Sequence, residues 1–363
     1  MFMSTTNPTL DPEKAQRFAA RTGQQLAAAM NCYLSYVGCD LGFYDTIRDL
    51  GPSTSTQLAA ATGCHERWIR EWLRHQACNG QLEYEQDSDQ FSLTPEATAV
   101  LCDEDSPFYF ASGFTAFAAL RSAVDRLPST FRTGLGMRYD EHGPGCACGI
   151  EKLNNYIPRF ELVSSILPQL DGVVERLQAG ANVADVGCGA GIALLNMARA
   201  FPKSTFVGYE ISSHALARAR NNLESWALPN VSICDAREMP LPNNRSIDFV
   251  TTFDVVHDSP YPERLIADIY AALRPEGSWL CSDIRSFPNF ADNLADNPSA
   301  ALMYGFSVMV CLSSAMSEPD GRGLGTLGFN IEVAQQMTAD AGFSQFRKLE
   351  YENAINSYYE IRP

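Results

Sequence analysis

Acidic residues stand in this chain where apolar runs end. Val183-Ala184 leads into Asp185, Phe206-Val207-Gly208-Tyr209 into Glu210, Val231-Ser232-Ile233-Cys234 into Asp235, and Phe249 to Phe253 into Asp254. A carboxylate accepts hydrogen bonds from hydroxyl, amine and ammonium groups, so such a row could hold a ligand rich in those donors. Between the first two acids lies Gly187-Cys188-Gly189-Ala190-Gly191, with glycine at alternate positions. Glycine is needed where a turn requires positive φ or where backbone approaches a ligand closely. After the fourth acid come His257 and Asp258. Imidazole titrates near neutral pH, which suits a general base; the alternative use of His257 is to cap or orient the loop ahead of the helix start at Pro260 to Pro262.

Helical spacing follows the glycines at Leu194, Leu195, Met197, Ala198 and Phe201. Strand, glycine turn, helix is the layout in which a nucleotide-like ligand lies across a strand end. The dinucleotide fingerprint would place its last glycine at Ile192. Here the glycines read G-x-G-x-G, with Asp185 two residues ahead of them. A carboxylate there repels a pyrophosphate and suits an ammonium. S-adenosylmethionine carries an ammonium, a sulfonium and an adenosine, and no phosphate. On that reading Asp185 and the loop Gly187, Cys188, Gly189 and Gly191 hold the amino acid end, with Asp254 by the methionine portion. Glu210, about twenty residues past the turn, accepts the ribose hydroxyls; Asp235 takes the adenine amine, and Ile211 and Ala236 are counted with them. One acid after a strand is an ordinary turn residue. Three in register with D-x-G-x-G-x-G make a specific pattern, and by these residues the chain resembles the class I S-adenosylmethionine-dependent methyltransferases.

The elements that must position these residues alternate. Strands are expected at 182–186, 205–209, 230–234, 247–253, 278–282, 345–350 and 355–361, and helices near 192–200, 213–225, 262–273 and 331–341. Such alternation means a mainly parallel α/β sheet with helices on both faces. The last two strands have no helix between them and should form an antiparallel hairpin. The resemblance implies the same: a Rossmann-like sheet of seven strands, the last antiparallel. Ahead of it the chain reads helix (Asp11 to Met30), an amphipathic turn region (Leu41 to Leu50), helix (Ser55 to Ala61), helix (His65 to Cys78) and a hairpin (81–85 and 90–94). That is a mainly helical, winged-helix-like outline. The expected organisation is a tail over 1–10, a helical winged-helix-like domain over 11–149 and a cofactor domain over 150–363. The stretch 286–330 interrupts the alternation and reads as an insertion with a helix (Ala300 to Met316) and a flexible glycine-rich lid, Gly321 to Gly328.

Composition sets bounds. The 363 residues are 45% hydrophobic and carry a formal net charge of −16, against a nucleic-acid backbone as main partner. The second helix of the winged-helix outline mixes Glu66 and Glu71 with Arg67, Arg70 and Arg74, so packing, dimerisation or covering the active site fits it better than DNA. The N-terminus has no basic region followed by an apolar core, and Ala300 to Met316 is short of the ~20 residues of a membrane span. A soluble cytoplasmic protein is expected. Eleven scattered cysteines suit reduced thiols. His142-Gly143-Pro144-Gly145-Cys146-Ala147-Cys148 could be read as a metal clip, but no second pair with zinc spacing follows, so no metal is expected there; the stretch reads as a flexible loop.

A closer resemblance rests on Glu66-Arg67-Trp68-Ile69-Arg70-Glu71-Trp72-Leu73 with Leu82-Glu83-Tyr84, on Phe253-Asp254-Val255-Val256-His257-Asp258, and on Gly323-Leu324-Gly325. These are similar to a subgroup of the same methyltransferases with an N-terminal winged-helix-like domain, over nearly the whole chain. The resemblance implies an enzyme that methylates a small polar acceptor by in-line transfer, O- or S-methylation being favoured. His257 and Asp258 are the catalytic candidates, and Tyr139, His142, Tyr156 and Tyr304 the candidates for the acceptor wall. The winged helix with its tryptophans suggests a homodimer. A regulator that binds S-adenosylmethionine and DNA is the alternative; a dehydrogenase is opposed by Asp185 and Ile192.

Overall fold

The computed structural model describes residues 10–363 and divides into two compact units, 1–118 and 119–363. The tail expected over 1–10 lies, apart from Leu10, outside the described residues.

The first unit holds α1 (Pro12–Asp40), α2 (Phe43–Leu50), α3 (Ser55–Thr62), α4 (Glu66–Cys78) and the hairpin β1 (Glu83–Glu85) and β2 (Gln90–Ser92). Side chains start these helices: Asp11 accepts from the N–H of Glu13 and Lys14, and Thr54 forms a capping box with Gln57. Ser53 forms an isolated antiparallel bridge to Phe91 of the hairpin. Phe43, Tyr44, Ile47, Leu58, Ile69, Trp72, Leu73 and Phe91 make the core. α1 runs ten residues past its expected end at Met30 because it packs on α4. Its Gly38 is required there, since a Cβ would lie 2.4 Å from the Trp72 ring, and Trp72 donates to the Leu34 carbonyl at 2.8 Å.

The second unit is built on a seven-stranded sheet: β3 (Asn182–Val186), β4 (Thr205–Glu210), β5 (Val231–Asp235), β6 (Ile247–Phe253), β7 (Leu273–Ile284), β8 (Gln345–Lys348) and β9 (Asn356–Arg362). Their order is β5-β4-β3-β6-β7-β9-β8. β3 to β7 pair in parallel, and β9 runs antiparallel to both β7 and β8. Successive residues alternate between two cores. Val183, Phe206, Phe249 and Leu280 face one layer of helices; Ala184, Val250, Trp279 and Cys281 face the other. Each fully buried large side chain contributes ~1.5–3 kcal/mol. The order reverses between β3 and β6, and at such a switch point a crevice opens beyond the strand ends. Asp185 and Asp254 stand at its two lips.

Two expectations meet a different structure. The stretch read as a loop around Cys146 and Cys148 is a helix, Pro144–Leu153, and Tyr139–His142 is a 3₁₀ turn. Glu151 pairs with Arg218 of the helix Ser213–Trp226. Asp140 takes both the N–H (2.9 Å) and hydroxyl (2.7 Å) of Ser213. These long-range ties place the segment in the second unit, ahead of the boundary expected near Gly149. Cys146 and Cys148 are two apart on a helix and so do not face each other as a chelate. The glycine-rich stretch expected to be a flexible lid is packed down: Thr326, Leu327 and Phe329 are buried, and the Thr326 N–H donates to Ser307 at 3.2 Å.

Candidate active site

The loop after β3 is drawn onto β4: the N–H groups of Gly187 (2.8 Å) and Cys188 (3.1 Å) donate to the Tyr209 carbonyl. Gly187, Gly189 and Gly191 all have positive φ. A Cβ on Gly187 would lie 2.4 Å from Val255, so this glycine lets the β3 and β6 loops close on each other. At Gly189 a Cβ would meet open space, which leaves its backbone accessible to a ligand.

Asp185 is 1% exposed. One of its oxygens accepts from the Thr251 hydroxyl at 2.7 Å; the other is buried without a partner. Burial pushes its pKa up to about 7, with Thr251 opposing and Glu210 adding to the rise. An orphaned buried carboxylate oxygen beside a glycine loop is a site for a cation. Glu210 accepts from the N–H of Gly189 (2.8 Å), Ile211 (2.7 Å) and Ser212 (2.8 Å), so it orders the loop as well as facing it. Its pKa is raised by burial, with these N–H groups opposing. Ile211 is 56% exposed beside it, an apolar face free to cover a base. Asp235 is paired with Arg237, which holds it down to about 2; an adenine amine would share that carboxylate. The Ala236 N–H closes onto the Glu210 carbonyl at 2.9 Å. Asp254 has φ +56 and accepts from Asn356 at 2.5 Å. Burial, followed by the charge of Asp283, raises it to about 7. The residues present fit S-adenosylmethionine: an unpartnered acid for the ammonium, open glycine backbone, and acids for ribose and base.

His257 lies in the 3₁₀ turn Val256–Asp258 after β6 and is 2% exposed. Its Nδ1 is 2.6 Å from Asp283 Oδ1, which makes Nδ1 a protonated nitrogen and leaves Nε2 on the side of Asp258. Nε2 is 3.2 Å from Asp258 Oδ1. Burial alone would lower this imidazole, but the carboxylates of Asp283 and Asp258 outweigh it and hold it well above the usual value. Asp283 was not among the residues singled out in the sequence. The available signal was its place after Cys281-Ser282 at a strand end, like the other acids.

Of the acceptor-wall candidates, Tyr139 and His142 are brought near this group: Asp258's charge acts on both. His142 is 3% exposed with neither ring nitrogen partnered. The other two have their contacts elsewhere. Tyr156 packs on Phe160, and Tyr304 packs on Phe290 with 38% exposure.

Comparison with known proteins agrees with this geometry. A family model described as a methyltransferase domain matches residues 177–321, and one described as an Rv2258c-like winged helix-turn-helix domain matches 21–103. The fatty-acid O-methyltransferase of Mycolicibacterium smegmatis is 29% identical over 188 residues, 49% of this chain and 63% of that protein. The chain thus spans a little under two thirds of that relative. A structure from Nostoc punctiforme, solved as a candidate O-methyltransferase, superposes with a TM-score of 0.72 at 18% identity, over 98% of this chain and 100% of that one. Human N-acetylserotonin methyltransferase, solved with S-adenosylmethionine, gives 0.65 at 16%, over 99% of each chain. Among the described residues no helix is long and apolar enough to cross a membrane. The chain thus carries a methyltransferase domain on its seven-stranded sheet and a winged-helix domain before it, in the fold of the class I S-adenosylmethionine-dependent methyltransferases.

Proposed function

We propose that this enzyme methylates an oxygen nucleophile on a small polar molecule, with His257 as the base. The observation that carries the reading is His257 held between Asp283 and Asp258 beside the β3–β6 crevice. The cofactor would supply a methyl group on a good leaving group, so the protein has chiefly to align and deprotonate the acceptor; alignment is worth up to ~7–11 kcal/mol. Asp185 and Glu210 hold the donor end. Asp283 fixes the ring through Nδ1, and in the deprotonated form, which gains population as pH rises because the carboxylates hold the ring's pKa up, Nε2 offers its lone pair to the acceptor hydroxyl. As the oxygen–carbon bond forms, that proton passes to Nε2, where the two carboxylates stabilise the imidazolium. Tyr139 and His142 would wall the acceptor. A labelled-methyl screen of cell extract with the purified enzyme identifies the acceptor. His257→Ala should then lose ~10²–10⁴-fold in kcat with cofactor affinity retained by calorimetry. A mild defect would point instead to a neutral thioether sulfur as acceptor, which has no proton to lose.

The winged helix serves assembly rather than DNA. In α4, Arg67 pairs with Glu71 and Arg70 with Glu66, each at 2.7 Å, so these guanidinium groups are already neutralised. α1 carries exposed Phe18, Leu26, Met30, Tyr33 and Val37, and most helical stability in proteins comes from packing an apolar face against a neighbour. A homodimer that covers this face follows, and a sedimenting monomer at micromolar concentration would refute it. Eleven cysteines, none of them in a disulfide among the described residues, support a reducing, cytoplasmic setting, which cell fractionation checks.

A further inference from the structure

The group around His257 has a third member from a distant part of the chain. His257, Asp258 and Cys311 each offer one donor atom, and the three atoms lie within 4.8 Å of one another. Nε2 and the Asp258 oxygen are 3.2 Å apart, close to the ~3.3 Å between two ligands of a tetrahedral ion bound at ~2.0–2.1 Å. That oxygen is buried with no hydrogen-bond partner. Asp283 holds Nδ1 at 2.6 Å, the carboxylate–histidine arrangement that orients a ring nitrogen toward a metal. Cys311 ends the π-helical turn Ser307–Cys311; such turns break helical register and recur at functional sites. The Asp258 side chain is 24% exposed, which gives a cation a way in.

We propose that His257, Asp258 and Cys311 form a three-donor site for a zinc-class divalent cation, with a fourth position open. Nitrogen, sulfur and one carboxylate oxygen select zinc, or cobalt as its reporter, over magnesium and calcium. The cation takes the Nε2 lone pair that would otherwise accept the acceptor's proton, so the loaded enzyme is inhibited. This last clause rests on the base assigned above; the binding itself does not.

The test uses the full chain after chelator treatment, without acceptor. Titration with Co²⁺ should produce a thiolate charge-transfer band and tetrahedral visible bands, and equilibrium dialysis should give one Zn²⁺ per chain. Cys311→Ser should abolish the thiolate band and weaken Zn²⁺ at least about tenfold, and Asp283→Asn should weaken it ~10–100-fold. Retained S-adenosylmethionine binding by each variant reports that it is folded. If Cys311→Ser does not fold, Cys311→Ala and His257→Ala carry the same comparison. Cys78→Ser, an exposed cysteine elsewhere, should leave stoichiometry and band unchanged. No thiolate band in the wild type, or a band that survives loss of Cys311, overturns the site. Zn²⁺ that binds as described without slowing methyl transfer leaves the site standing and removes both the inhibition and the base assignment.

Discussion

The two lips of the crevice are built differently. On the β3–β4 side the site is made from one short, continuous piece of chain: Asp185, three glycines and Glu210, tied by backbone hydrogen bonds to Glu210 and Tyr209. On the β6–β7 side it is made from side chains of separate segments, His257, Asp283 and Cys311, joined by side-chain contacts. The first arrangement is a backbone-ordered cradle, proposed to recognise a ligand by charge and close backbone approach. The second holds the histidine proposed as the base, whose strength depends on what surrounds it. A cradle tolerates change by graded loss of affinity, whereas a coupled set of side chains fails together.

If this contrast is right, the largest effects lie on the β6–β7 side and appear in kcat. After His257→Ala itself, Asp283→Asn is the sharper probe. The amide can present its NH2 to Nδ1 and so favour the wrong tautomer, and it carries no charge to stabilise an imidazolium; the analogous change in a serine protease triad costs ~10⁴-fold. A loss approaching that, in kcat alone, is expected in steady-state kinetics with cofactor affinity intact. An Asp283→Asn enzyme that turns over normally would break the comparison.

The next effect lies on the cradle side and appears in affinity. Asp185→Asn should weaken S-adenosylmethionine by ~1.5–3 kcal/mol, about ten- to hundredfold, by calorimetry. The wild type should also show a steeper pH dependence than the variant. Asp185 has a pKa raised to about 7 by burial, and only its ionised form attracts an ammonium. Wild-type affinity should therefore rise from about pH 6 to about pH 7, and the asparagine variant should rise less steeply, keeping only the share due to Asp254, which titrates in the same range. A wild-type affinity independent of pH over that range would place the ammonium elsewhere.

The smallest effects separate two glycines of one loop. Both Gly187 and Gly189 have positive φ, but only at Gly187 would a Cβ overlap Val255. Gly189→Ala should cost ~1–2 kcal/mol of backbone strain, and Gly187→Ala should cost that plus the displacement of Val255. Thermal unfolding of the two variants gives the order, and equal melting temperatures would mean that the loops do not need this close approach.

The sequence by itself determined the parallel sheet, its antiparallel last strand, the winged-helix outline and the cradle. These depend on local signals: apolar runs of strand length, glycines where φ must be positive, an acid at each strand end. Strand bounds came within a residue or two, except that β7 starts five residues earlier than expected, at Leu273. Tertiary structure alone decided the rest. No spacing announces that Asp283 lies on His257, since 26 residues and a helix separate them, or that Cys311 joins them from a π-turn. The stretch His142 to Cys148 read as a flexible loop, yet the pairing of Glu151 with Arg218 and of Asp140 with Ser213 fixes this segment against the helix Ser213–Trp226. Local preferences act over a few residues and can be read in order along the chain. A base's partners are chosen by the packing of strands, and that packing is a property of the whole sheet.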